Sequence, residues 1–316
     1  NDPESIILFR DHLTFLEQAM TPERKKMGLL NTAQQLKIKQ EQFAETYDLT
    51  LHGETEHGGS EAICHSKMLQ DYALPGHLII GSDSHTPHSG AIGCVAFGVG
   101  TTAIFNSWIT RDVYSLVPES VRVEVKGKRP DGVTAKDMML AILRTPYVAD
   151  GHAIGKMVEY CGEAVKELSI DERATMTNMA AEVGAFSGIV VPDEKAAEFM
   201  VNERGMDPAK AKAYCEGLES DPGSEYCHEI IIDAEALEPL VALPGDPGNG
   251  LEISKLEADV RIDIAYGGSC TAGKKEDMDM YAEVLIAGLE RGERVAEDVE
   301  FWIQFGSQEV KEYCRE

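Results

Sequence analysis

The loop at residues 81–87, Gly-Ser-Asp-Ser-His-Thr-Pro, concentrates groups that can move protons. Asp83, Ser84 and His85 place a carboxylate, a hydroxyl and an imidazole side by side, directly after the apolar run at residues 77–80. Glycines follow at short intervals, and glycine lets backbone amides approach a ligand closely. Because functional side chains concentrate on loops at the ends of rigid strands, the pattern favours a catalytic loop over a plain Asx turn.

A lone cysteine, Cys270, lies far downstream in Gly-Gly-Ser-Cys-Thr-Ala-Gly at residues 267–273. The alternating residues 259–264 predict a strand before it, and the pattern at residues 277–289 predicts a helix after it. A thiolate between a strand and a helix gains from the dipole of the helix and from free backbone amides. Cys270 is therefore a candidate functional thiolate.

Two further sites pair an imidazole with chemistry-bearing neighbours. Asp11 and His12 are adjacent, and an acid beside an imidazole can raise the pKa of the histidine and fix its tautomer. His65 ends an apolar stretch, Ala-Ile-Cys-His, just before a helix-like segment. Taken alone, the first is typical of a surface pair and the second of a buried structural histidine.

The helix predicted over residues 170–185 carries an amide and a carboxylate four residues apart. Ser169 and Glu172 have the spacing of a capping box at its start. Asn178 and Glu182 would then share one face of the helix. Apolar neighbours surround Glu182, which favours a buried carboxylate with a polar partner.

The remaining elements predict an α/β architecture with mostly parallel sheets. Strands are predicted at residues 121–125 and 230–232, and a helix begins where Thr134 and Asp137 form a second capping box. Strands that alternate with helices give parallel sheets. The Pro- and Gly-rich residues 243–250 are the best linker candidate, so we expect three units at residues 1–119, 120–243 and 244–316.

Composition narrows the class of partner. The formal net charge of −26 argues against nucleic acid and against anionic membranes, since both require a positive surface. No apolar run approaches the roughly 20 residues of a membrane span, and nothing at the start resembles a signal peptide. The first residue is Asn1 and the last is Glu316, so we expect a fragment of a longer polypeptide.

The seven cysteines include no Cys-x-x-Cys pair, which fits a reducing, cytoplasmic compartment better than a disulfide framework. Cys64, Cys94 and Cys161 have apolar neighbours and are predicted to be small core residues.

Together, Asp-Ser-His-Thr-Pro, Asn-Met-x-x-Glu and Gly-Ser-Cys-Thr resemble the aconitase / 3-isopropylmalate dehydratase superfamily of iron–sulfur hydro-lyases, in the same order and over nearly all of the chain. The resemblance implies an aconitase-like fold with several α/β domains around a central cleft. It also implies a [4Fe-4S] cluster and the dehydration and rehydration of a hydroxy-acid such as citrate, homocitrate or isopropylmalate.

The resemblance also assigns roles by position. The residues that it places in proton transfer are three acid–imidazole pairs: Asp11 with His12, Asp83 with His65, and Glu182 with His85. Ser84 would help to hold a substrate carboxylate, Asn178 would line the cluster, and Cys270 would be the first cluster ligand.

The chain also departs from the family pattern. Ala272 stands where the family commonly has Asn, and the Cys-x-x-Cys that completes the cluster does not follow Cys270. The substrate-gripping arginines and the serine base are absent as well. The remaining cluster ligands are therefore expected outside this chain, and the missing groups on a mobile C-terminal domain or a separate small subunit.

Three other functions remain open at this point. The chain could be a non-catalytic binding module that has lost the cluster, or an RNA-binding protein of the iron-responsive kind, which the acidic charge disfavours. The adjacent Ser84 and His85 could also belong to a metal-independent hydrolase, although no Gly-x-Ser-x-Gly elbow is present.

Overall fold

A computed structural model describes residues 3–12, 14–56 and 58–316. Its strands are, in chain order, β1 (Ile7–Phe9), β2 (Thr50–His52), β3 (Leu78–Gly81), β4 (Val95–Gly98), β5 (Ser120–Lys126), β6 (Met157–Cys161), β7 (Ser187–Val190), β8 (His228–Asp233), β9 (Leu240–Ala242), β10 (Gly250–Glu252), β11 (Ile264–Gly267) and β12 (Glu300–Ile303).

The α-helices are, in chain order, α1 (Leu16–Ala19), α2 (Pro22–Lys26), α3 (Leu29–Tyr47), α4 (Cys64–Lys67), α5 (Thr101–Thr110), α6 (Ala135–Leu143), α7 (Pro146–Ala149), α8 (Glu163–Glu167), α9 (Ile170–Asn178), α10 (Ala180–Val183), α11 (Glu194–Arg204), α12 (Pro208–Cys215), α13 (Ser269–Ala272), α14 (Lys275–Glu290) and α15 (Gln308–Tyr313).

The largest sheet has four parallel strands in the order β7-β6-β5-β8. Val121, Val123 and Val125 alternate along its central strand β5 and are buried. They share a core with the apolar face of α6 and with Met176 of α9. Burial of these side chains is the main favourable contribution to the stability of this unit.

The strands β1 and β2, β3 and β4, and β11 and β12 form three smaller parallel pairs. The hairpin β9-β10 is antiparallel. With every other pairing in these sheets parallel, the predicted α/β class is confirmed. Among the described residues, no helix is long and apolar enough to cross a membrane.

Both predicted helix starts are confirmed, but only Thr134 and Asp137 form the full capping box, because the carboxylate of Glu172 pairs with Arg129 instead. The backbone N–H of Thr134 donates to Asp137 Oδ2 over 2.7 Å, and the backbone N–H of Glu172 donates to Ser169 Oγ over 3.1 Å. Asp137 also accepts from the N–H of Leu240 over 2.7 Å, which fastens β9 to the start of α6. These contacts fix the starts of α6 and α9 and join α6 to the β9-β10 hairpin.

Two predicted elements are wrong in their extent. The continuous helix over residues 170–185 is interrupted at Met179, whose ψ of 5° ends α9, and α10 closes at Gly184 with φ of +73°. The strand predicted at residues 259–264 lies instead at Ile264–Gly267, because the register with β12 pairs Ile264 with Glu300. Val260 and Ile262 are exposed, so their alternation reflects no buried sheet face.

The Pro- and Gly-rich residues 243–250 form the turn of the β9-β10 hairpin, in which the N–H of Leu243 donates to the carbonyl of Asn249 over 2.9 Å. The hairpin packs on α6. The division into three units stays a prediction.

Candidate active site

Asp83 lies at the centre of the site, where the chain leaves β3. Its Oδ1 lies 2.9 Å from His65 Nε2 and accepts the backbone N–H of His85 over 2.8 Å. The loop packs so closely on β4 that a Cβ at Gly98 would lie 2.4 Å from the carbonyl oxygen of Asp83. Glycine at position 98 is therefore a steric requirement of the loop.

His85 lies between two carboxylates. Its Nε2 is 3.3 Å from Glu182 Oε1, and its Nδ1 is 3.5 Å from Asp83 Oδ1. Hydrogen bonding to Asp83, then to Glu182, raises the pKa of His85 to about 10. The imidazoles of His65 and His85 in turn lower the pKa of Asp83 far below its usual range. At neutral pH, His85 is therefore a cation held between two anions.

Asp11 and His12 join the same group of contacting carboxylates and imidazoles. Asp11 Oδ1 lies 2.8 Å from His12 Nδ1, and Asp11 Oδ2 accepts the N–H of Cys64 over 2.9 Å. His12 Nε2 lies 3.7 Å from Asp83 Oδ2. Burial alone would raise the pKa of Asp11, but these hydrogen bonds lower it on balance, and Asp11 raises the pKa of His12.

The structure thus brings together in one connected cluster all of the side chains that the sequence assigned to proton transfer: Asp11, His12, His65, Asp83, His85 and Glu182. Their catalytic roles stay a prediction. Asn178 and Glu182 reach the site from two different elements, because the break at Met179 separates α9 from α10. The expectation that one continuous helix face aims both of them is wrong.

Cys270 is a free, half-buried thiol in α13. A Cβ at Gly268, where φ is +134°, would lie 2.4 Å from the carbonyl oxygen of Gln304. Ser269 has φ of +68°, which is rare for a residue with a side chain. The backbone before Cys270 is therefore tightly constrained.

The dipole expected to favour a thiolate at Cys270 is weak, because α13 is a single turn and the longer helix α14 starts only at Lys275. Cys270 is nevertheless close enough to His85 to interact with it electrostatically, and this is a smaller contribution to the raised pKa of that histidine.

Asn178 is fully buried. Its Oδ1 accepts the hydroxyl of Thr271 over 2.9 Å, and its Nδ2 lies 3.2 Å from His88 Nδ1. Thr271 Oγ1 is thus the link between Asn178 and the cysteine turn. No role for His88 was predicted from its sequence motif, and only its position three residues after His85 could have drawn attention to it.

Ser84 is exposed, and its Oγ lies 3.4 Å from His85 Nδ1. A hydrolase would require that nitrogen to take the proton of the serine hydroxyl. An imidazolium with a pKa of about 10 has no free lone pair at neutral pH, so the arrangement disfavours the hydrolase. Ser84 remains free to bind a substrate group.

A cavity of about 620 Å³ opens beside Glu182 and is also lined by Lys136, Met179 and Leu240. Burial raises the pKa of Glu182, but the hydrogen bond from His85 and, more weakly, the charge of the exposed Lys136 lower it on balance. The cavity is therefore lined by one positive side chain, Lys136, beside the acidic side chains of Asp137, Glu182 and Asp246.

The predicted core cysteines divide between two environments. Cys94 is wholly buried, as predicted, but Cys64 and Cys161 are only half-buried. Cys64 is less buried than Cys94 because it starts α4, where its backbone N–H donates to Asp11. Cys161 differs because it ends β6 at the edge of the core.

Within residues 3–12, 14–56 and 58–316, no group of three or more His, Cys, Asp and Glu side chains is arranged to hold a metal ion. A four-iron cluster with an open iron needs three thiolates. Cys270 is the one thiol that the motif supplies, so the described residues fit such a cluster only in part.

Comparison with known proteins identifies the family. Residues 8–316 match the model of the aconitase family (aconitate hydratase). The chain belongs to the aconitase family. It is 34% identical over 310 residues to the 3-isopropylmalate dehydratase large subunit 1 of Methanopyrus kandleri, covering 98% of this chain and 67% of that protein.

Two other relatives give the same result. The 3-isopropylmalate dehydratase large subunit of Wolinella succinogenes is 38% identical over 281 residues, which are 88% of this chain and 63% of the relative. The probable methanogen homoaconitase large subunit of Methanosarcina mazei is 39% identical over 226 residues, 71% of this chain and 55% of the relative. The chain thus spans two thirds or less of the length of these relatives.

Proposed function

We propose that the chain is the large-subunit part of a hydro-lyase that acts on a hydroxy di- or tricarboxylic acid of the isopropylmalate or homocitrate type. The observation that carries this proposal is the row of carboxylates and imidazoles in which Asp83 contacts both His65 and His85, and Glu182 contacts the far side of His85. Dehydration needs such groups because hydroxide is a poor leaving group until it is protonated.

His85 would act as the general acid. It is a cation at neutral pH, so it can deliver a proton to the departing hydroxyl group of the substrate. Asp83 would hold the rings of His65 and His85 in fixed orientations, and Glu182 would stabilise the charge of His85 before the proton leaves. In the reverse direction His85 would take the proton back.

The substrate carboxylates would meet the few positive or donating groups at the cleft. Ser84 presents an exposed hydroxyl beside His85, and Lys136 lines the cavity beside Glu182. A net charge of −26 makes such local donors necessary, because the protein as a whole repels an anion. The substrate would then lie between the histidines and this cavity.

Cys270 would provide one thiolate of a [4Fe-4S] cluster, and the other ligands would come from outside the described residues. When bound, such a cluster supplies a Lewis acid that polarises the substrate hydroxyl. A small subunit is a further part of this proposal, because the relatives from Methanopyrus kandleri and Wolinella succinogenes are named large subunits.

The test is anaerobic reconstitution of the full-length polypeptide and its small subunit with iron and sulfide, followed by hydration of cis-aconitate or an alkylmaleate, measured as loss of ultraviolet absorbance. We expect turnover that depends on bound iron. A full-length protein that binds no iron and turns over neither compound would instead support a non-catalytic binding module.

A further inference from the structure

His88 is a wholly buried imidazole that the proposed reaction does not use. It lies in the short 3-10 segment Thr86–Ile92, which packs under α9. Thr177 Oγ1 of that helix donates to the carbonyl of His88 over 2.9 Å, so the backbone of His88 is fixed. Burial lowers the pKa of His88 well below its usual value, which keeps the ring neutral.

The contacts of Asn178 determine which ring nitrogen of His88 carries the proton. Asn178 Oδ1 accepts from Thr271 Oγ1, so its amide nitrogen faces His88 Nδ1. An amide nitrogen only donates, and therefore Nδ1 must accept and the ring proton must be on Nε2. His88 thus holds Asn178 in the orientation that Thr271 requires.

The other side of the ring has no partner among the described residues. His88 Nε2 is buried and unpaired, as are Ser66 Oγ and Gln70 Oε1, and these three residues line a second cavity of about 500 Å³. Because Nε2 is itself closed off from solvent, the amide of Asn178, at Nδ1, is the one hydrogen-bond partner of the ring within the described residues.

Thr271 is anchored at three points, one of which is its backbone N–H, which donates to Ser269 Oγ over 3.3 Å. Its carbonyl accepts the hydroxyl of Thr175 over 2.9 Å and the ammonium group of Lys274, while its own hydroxyl depends on Asn178. The preceding turn includes Ser269 at φ of +68°, and such strained backbone persists only where several contacts enforce it. Loss of one anchor should therefore loosen the cysteine turn.

We propose that His88 is a positioning residue for Cys270: through the amide of Asn178 it holds Thr271, the neighbour of the cysteine, in place. The inference rests on the proposed function only in so far as Cys270 binds a cluster. The positioning itself can be measured on the thiol, whether or not iron binds.

The experiment compares His88→Leu with His88→Asn. Leucine removes the acceptor, whereas the Oδ1 of asparagine stands at about the place of Nδ1 and can accept from Asn178 again. The rate at which iodoacetamide alkylates Cys270 is followed by peptide mass spectrometry. Exposed Cys314 is the internal reference and buried Cys94 reports loss of the fold.

We expect His88→Leu to raise the alkylation rate of Cys270 about fivefold, the factor that one hydrogen bond typically supplies, and His88→Asn to restore it. An unchanged rate in His88→Leu, or an equal increase in both variants, would overturn the proposal. If the alkylation rates of Cys270 change as expected but the full-length protein binds no iron, the proposed function is contradicted and this inference stands.

A second variant covers the case in which His88→Leu exposes Cys94. Thr271→Val breaks the same link from its other end with His88 intact, and should raise the Cys270 rate by a similar factor. Nitrogen NMR of the wild type should show an unprotonated Nδ1 at His88. A proton on Nδ1, or no effect of Thr271→Val, would refute the link.

Discussion

The two halves of the candidate site are built differently. On one half every imidazole has a carboxylate partner: His12 has Asp11, His65 has Asp83, and His85 has both Asp83 and Glu182. On the other half, Cys270 stands on a constrained turn, and the described residues provide no set of metal ligands around it.

The difference shows which part of the chemistry this chain can organise by itself. The acid–base half depends on contacts among residues of the chain, so its protonation states should be set before any cluster binds. On the proposed function, the thiol half would supply one cluster ligand and depend on others from outside the described residues. The two halves should therefore respond differently to substitution.

The largest effect is expected from Cys270→Ser. In the reconstituted enzyme this change should abolish both iron retention and turnover, because it removes a cluster ligand. The titration of His85 should shift little, since its two carboxylate partners remain. Iron analysis and the hydration assay measure the effect, and Cys314→Ser, at an exposed free cysteine, is the control. Full iron content in Cys270→Ser would show that Cys270 is not a cluster ligand.

The next largest effect is expected from His85→Ala. It should lower kcat by roughly 10²–10⁴-fold and change KM little, because a general acid acts mainly in the transition state. Iron content should stay unchanged. His152→Ala is the control, because His152 is an exposed histidine outside the group of contacting carboxylates and imidazoles. Wild-type turnover with full iron content would mean that His85 is structural.

Glu182→Gln tests the acid–base half through stability. The folded pKa of His85 is raised from 6.5 to about 10, so its stabilising contribution is complete below pH 6.5 and is lost as the pH rises to 10. Removing the carboxylate should lower that pKa, and the wild-type advantage in unfolding free energy should shrink over this range.

Urea unfolding at several pH values measures the difference, with Glu312→Gln as a control at an exposed ion pair with Arg315. An advantage of the wild type that stays constant from pH 6 to 10 would show that Glu182 does not act on the charge of His85.

The smallest effect is expected from Ser84→Ala. It should raise KM with little change in kcat, because a hydrogen bond to a charged substrate group contributes about 1.5–3 kcal/mol to binding. Steady-state kinetics of the hydration assay checks this, and Ser115→Ala, whose hydroxyl contacts only the carbonyl of Leu116 among the described residues, is the control. A fall in kcat alone would place Ser84 in the chemical step.

Much of the site could be predicted because its signals are local. Asp83, Ser84 and His85 are consecutive, the capping boxes at Thr134 and Ser169 are four-residue patterns, and parallel sheets follow from alternating elements. The family resemblance then joined distant motifs that no local pattern connects.

The features that the sequence did not reveal depend on packing. The break at Met179 accompanies tertiary contacts of Asn178 with Thr271 and of Glu182 with His85. It could not be predicted because the apolar spacing of residues 170–185 is that of a single helix. The role of His88 depends on an amide that lies 90 residues away in the chain. The strand at Ile264 was predicted too early in the chain. Alternating apolar residues fix the pairing register of a strand only when one of its faces is buried, and Val260 and Ile262 are exposed.

The most direct test of the acid–base half is nitrogen NMR of His85 across pH 5–11, with its signals assigned by their loss in His85→Gln. The structure predicts an imidazolium at neutral pH and a titration midpoint near 10, because hydrogen bonds to Asp83 and Glu182 hold the proton. A midpoint at or below 6.5, the ordinary value for histidine, would contradict a preset proton donor and with it the proposed division of the site.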